Sequence, residues 1–68
     1  MDPQTHARFL DYRMRHGYFA RGDAPMLAPQ AFVAADAELT LLEMLPEDQR
    51  SDEDEARLNE LLVLLFRD

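Results

Sequence analysis

Proline and glycine leave this chain little freedom in how it folds. Pro3 stands at the start, Gly17, Gly22, Pro25 and Pro29 crowd one stretch, and Pro46 interrupts the second half. Neither residue is at home inside a helix, proline least of all because it lacks an N–H and collides with the preceding turn. Three uninterrupted segments remain, at about 3–16, 29–45 and 52–66, and each carries apolar residues at helical rather than alternating spacing. The chain is therefore expected to be a single all-α domain spanning 1–68, a small three-helix bundle with an apolar loop at 17–28.

The segment ends support this. Asp2-Pro3 supplies an N-cap followed by proline in the first turn. Asp11 and Arg15 form an i,i+4 pair, and Gly17 suits a left-handed residue closing the helix at His16, with Tyr18 and Phe19 folding back on it. In the second segment Phe32, Ala35, Leu39 and Leu42 make one apolar stripe, and Val33, Ala37, Leu41 and Met44 make another some way round the helix. Asp36, Thr40 and Glu43 are expected to fill a polar wedge between them. Leu45-Pro46 ends that helix, because the residue before proline avoids helical angles. Ser51 and Asp54 have capping-box spacing, the acids at 52–55 match the positive end of the helix dipole, and Glu53 pairs with Arg57.

The third segment finishes on the run LLVLLF, Leu61 to Phe66. Leu58, Leu61, Leu62 and Leu65 cover an arc of about 100°, which Leu64 and Phe66 widen to about 200°, leaving Val63 outside. So wide an arc predicts a helix lying in the groove between the other two. Two helices with surplus apolar surface exceed what a poor first helix can cover. Tyr18, Phe19, Met26 and Leu27 make the loop too apolar for a free linker, and it is expected to close one end of the core.

At 68 residues without cysteine, neither disulfides nor a thiolate metal site can reinforce the core. Net charge is −7, divided unevenly: residues 1–22 carry four arginines against two acids (+2), and residues 23–68 three arginines against twelve acids (−9). Such a balance disfavours nucleic acid as a partner, although HGYFARG interleaves aromatics with arginine. Every basic residue is arginine and isoleucine is absent, which points to a GC-rich bacterial genome. No signal peptide or membrane span is legible at the sequence level, and a cytoplasmic location is expected.

Catalytic candidates are weak. His6 and His16 have no acid at metal-ligand spacing, the single serine sits in a capping context, and SDEDEARLNE lacks the glycine and alternating oxygens of a calcium loop. Arg21-Gly22-Asp23 spells an adhesion tripeptide without a secretory context. No cofactor, metal or enzymatic activity is expected. The surplus apolar residues, Val33, Leu41, Met44 and Val63, rimmed by Glu43, Glu47, Asp48, Asp52, Glu53 and Asp54, point to a non-catalytic interaction module. It would be a small acidic adaptor or regulator that binds another protein, with a basic or helical surface, in a groove made by the second and third helices. The alternatives are an acidic inhibitor, antitoxin, immunity protein or nucleic-acid mimic occupying a basic site, and a structural homodimer or assembly subunit.

Overall fold

A computed structural model of the protein describes residues 1–20 and 25–67; the Arg21-Gly22-Asp23 tripeptide and part of the 17–28 loop lie outside them. Helix α1 spans Pro3–Phe19, α2 spans Pro29–Met44 and α3 spans Asp52–Leu64, with a 3-10 turn at Glu47–Gln49 between the last two. The architecture is the expected all-α three-helix arrangement.

Helix α1 opens as its sequence requires: Asp2 Oδ1 accepts from the Thr5 N–H at 3.1 Å, and Pro3 sits in the first turn. Its end differs from expectation. The helix runs through Gly17 to Phe19, and the Ala20 N–H closes it on the His16 carbonyl. The extra turn brings the Phe19 ring within 6.5 Å of Phe66. A glycine inside the helix costs about 1 kcal/mol relative to alanine. Tyr18 and Phe19 do not fold back; both remain largely exposed, as does Met26, and Leu27 alone of the four apolar loop residues packs on the core.

Helix α2 has no side-chain cap at Ala28, and proline occupies its first turn. It stops at Met44, one residue short of the expected boundary, where Leu45 turns extended ahead of Pro46. Arg50 Nε then donates at 3.0 Å to the Leu42 carbonyl, which also accepts the Leu45 N–H at 3.3 Å.

Helix α3 begins with the expected capping box, Asp54 N–H to Ser51 Oγ at 3.0 Å and Ser51 N–H to Asp54 Oδ2 at 3.1 Å. Arg57 bypasses Glu53 and bridges to Glu38 on α2 through two bonds of 2.6 and 2.9 Å. The helix ends at Leu64 rather than Phe66. Phe66 N–H donates to the Val63 carbonyl at 3.1 Å and Arg67 N–H to the Leu62 carbonyl at 2.7 Å, the bond pattern of a Schellman turn. Phe66 takes the left-handed position, φ 57°, that such turns usually give to glycine. A bulky residue there costs about 1 kcal/mol.

That turn changes which helix is central. Helix α2, not α3, lies between its neighbours: α1 packs on one side of it and α3 on another. The chain after α3 reaches α1 instead, through Arg15 Nη1, which donates to the Phe66 carbonyl at 2.7 Å, and through the Tyr12 and Phe66 rings, 5.9 Å apart. Phe32 and Leu39 of α2, Leu61 of α3 and Leu65 just after it are fully buried, with Phe9, Tyr12, Ala35 and Leu58 around them. The result is flattened, 36 × 28 × 16 Å. Its radius of gyration is 12.6 Å, where a compact chain of this length would have about 11 Å. A third side of α2 stays open.

Candidate protein interface

The open side of α2 follows from where its core residues fall. Phe32, Ala35, Asp36 and Leu39 are buried against the other elements, and at 100° per residue they leave an opposite arc of about 120°. On that arc stand Gln30, Val33, Ala34, Ala37, Thr40, Leu41 and Met44, all exposed and none charged. Leu41 is 66% and Met44 74% exposed, high values for large apolar side chains in so small a protein. Val33 is only just exposed, because it also borders two depressions: one of 330 Å³ with Met1, Pro29 and Gln30, and one of 410 Å³ with Thr5, Arg8, Asp36, Ala37, Thr40 and Leu41. The apolar stripe is thus continuous with the groove between α1 and α2.

Below that groove lies a buried ion cluster. Asp36, 3% exposed, accepts from Arg8 Nε at 3.0 Å and Nη2 at 2.8 Å on one side, and from Arg67 Nη2 at 2.7 Å on the other. Burial alone would raise the Asp36 carboxyl, but hydrogen bonds from Arg8 and Arg67, helped by their charges, outweigh it and hold the group below the ordinary carboxylate range. Arg8, bound to Asp36, is held further toward its charged form. Thr5 Oγ1 accepts from Arg8 Nη2 at 3.1 Å, and the Arg67 guanidinium also lies over the Phe32 ring at 6.0 Å.

Asp36 is therefore a structural correction as well: it is the anchor between α1, α2 and the C-terminal turn, not part of an exposed polar wedge. The signal was present. Phe32, Asp36 and Leu39 share the i, i+4, i+7 spacing of the core stripe, so an acid among them had to find cationic partners. Sequence spacing alone could not say that two distant arginines, 28 residues before and 31 after, would supply them.

The residues expected at the interface divide into groups. Val33, Leu41 and Met44 share the open face of α2. Val63, also exposed, lies elsewhere, in an open cleft of 580 Å³ with Arg15, Phe19 and Phe66 at the far end of α1. The structure thus does not bring the four together in a groove between α2 and α3. Of the acids, Glu43 is at the last turn of α2, Glu47 and Asp48 are in the 3-10 turn, and Asp52 and Glu53 open α3, all exposed. Asp54 is half-buried, its carboxylate committed to the capping box.

Among the described residues, no group of three or more histidine or acidic side chains is arranged to hold a metal ion, and no helix is long and apolar enough to cross a membrane. His16 lies between the Tyr12 and Phe66 rings at 6.0 and 6.1 Å, and its ring belongs to that aromatic cluster. No protein-family model matches the chain, and neither a curated protein nor a solved structure shows significant similarity to it.

Proposed function

We propose that this chain is a non-catalytic protein–protein interaction module, a small acidic adaptor or regulator of a bacterial cytoplasm, and that the open face of α2 is its contact surface. One observation carries the reading: an uncharged, exposed helix face with Val33, Leu41 and Met44 on it, in a chain of net charge −7. Accessible surface supports it. The chain exposes 5081 Å², where a compact monomer of its mass would expose about 4,400 Å². Apolar contact on α2 supplies the affinity. Glu43 in its last turn, with Glu47, Asp48, Asp52 and Glu53 beyond its C-terminal end, steers a partner with basic residues toward it.

The test replaces Leu41 and Met44 together by glutamate. Both side chains are exposed, so helical circular dichroism is expected to stay at the wild-type level while proteins captured from the native extract by the wild type are lost. Loss of helicity would place these residues in the core and end the reading. Salt separates it from the inhibitor or nucleic-acid-mimic alternative, since a charge-dominated complex weakens steeply as ionic strength rises and an apolar one much less.

A further inference from the structure

Resting on that reading of α2, we infer that the occupant of its open face is a second copy of the same chain, paired antiparallel about a two-fold axis at Ala37. A two-fold contact must be self-complementary: if residue i meets j, then j meets i. The exposed stripe Gln30, Val33, Ala37, Leu41, Met44 has spacings of three, four, four and three residues, so it reads the same in both directions from Ala37. Antiparallel pairing sets Val33 level with Leu41 and Gln30 level with Met44 of the other copy. The small side chain at the centre lets the helices approach, and the apolar ones lie to either side. Met44 of the second copy then points to the depression lined by Met1, Pro29, Gln30 and Val33.

Charge favours this pairing over a parallel one. No acid lies on the stripe: Glu43 stands about 120° round the helix from Ala37, and Glu38, which flanks the stripe, is bound to Arg57. Glu47, Asp48, Asp52 and Glu53 follow Met44, seven positions from Ala37, so the two acidic ends stand roughly 20 Å apart or more, beyond twice the physiological screening length of about 8 Å. A parallel pair would bring them together. Both acidic ends remain free at the outer tips of the pair.

Sedimentation equilibrium across a concentration series is expected to show twice the 7.9 kDa monomer mass, and Leu41→Glu to return the protein to monomer with its helicity intact. The chain has no cysteine, so engineered ones report the geometry. Under mild oxidation Ala37→Cys should cross-link, Gln30→Cys should not, and Gln30→Cys combined with Met44→Cys should. Efficient cross-linking of Gln30→Cys alone would show a parallel pair and overturn the inference. So would a dimer that neither Ala37→Cys nor the double variant captures, or a monomer at every concentration. A monomer that still binds a foreign protein, and loses it in the Leu41→Glu, Met44→Glu variant, would leave the interaction reading standing and remove only the second copy.

Discussion

Helix α2 is held by two neighbours in different ways. Toward α3 the buried contact is aliphatic, made by Ala35, Leu39, Leu58, Leu61 and Leu65 with Leu42 and Leu62 at the margin, and the one ion pair across it, Arg57 with Glu38, lies partly exposed at the surface. Toward α1 it is aromatic and ionic. Phe9 and Tyr12 pack on Phe32 at 5.1 and 5.4 Å, and Arg8 and Arg67 converge on Asp36. The Tyr12 hydroxyl also accepts the Leu27 N–H at 3.0 Å, tying down the chain that leads into α2. Aliphatic burial is indifferent to pH, salt and exact angle. A buried carboxylate between two guanidinium groups is sensitive to all three, and it specifies one docking geometry. α3 is fastened by area and α1 by register.

The largest effect should come from the aliphatic side. Leu61 is completely buried, and Leu61→Ala should cost about 3 kcal/mol. In a domain this small, that approaches the entire folding free energy. Chemical denaturation followed by circular dichroism should show little residual native baseline at any pH. A loss below 1 kcal/mol would mean that α3 is fastened by something other than its leucines.

On the ionic side the expected effect is smaller and depends on pH. Asp36→Asn leaves Arg8 and Arg67 without their anion. Removing one partner of a fully buried pair costs about 3–5 kcal/mol, but the Arg8 and Arg67 side chains are 42% and 22% exposed. Water takes up part of the loss, and about 2 kcal/mol is expected. The pH sign follows from the lowered Asp36 value. A carboxylate whose folded value lies below its unfolded one contributes its full stabilisation above the unfolded value, about 4, and loses it as pH falls through the folded value. Wild-type stability should therefore drop below about pH 4, with a shallower acid limb in Asp36→Asn. Near-UV dichroism of the buried Tyr12 follows α1 docking directly. Identical acid limbs in the two proteins would show that Asp36 is not what fastens α1.

The same contrast explains what the sequence could show. Helices α2 and α3 were legible because periodic leucines, a proline stop and a Ser51–Asp54 capping box are local signals. Helix α1 has only Phe9 and Tyr12 buried, and its other large apolar residues in that span, Leu10 and Met14, are exposed, so its apolar spacing marks no continuous stripe. Its docking relies on contacts made across long separations, Arg8 to Asp36, Arg15 to the Phe66 carbonyl, Tyr12 to Leu27. No periodicity encodes such pairings. The Schellman turn was hidden for a related reason, since Phe66 stands where glycine would have announced it. The apolar character of Val33, Leu41 and Met44 was readable, but their separation from Val63 depends on α2 being central, which only the packing determines.

The smallest effect tests where α1 stops. Gly17 is exposed, helical and open on the side where a Cβ would project, with nothing within 4 Å. Gly17→Ala should then stabilise the protein by about 0.8 kcal/mol, because alanine loses less backbone freedom and meets no obstacle. Were the helix to end at His16 with Gly17 left-handed, the same substitution would destabilise by about 1 kcal/mol, since alanine pays a steric penalty there. The sign of the change in denaturation midpoint distinguishes the two, even though both changes are small. A stabilising result also fixes Phe19 on the Phe66 side of the molecule. The last turn of α1 then belongs to its attachment to the C-terminal turn, while its first half is held by Arg8 on Asp36 of α2.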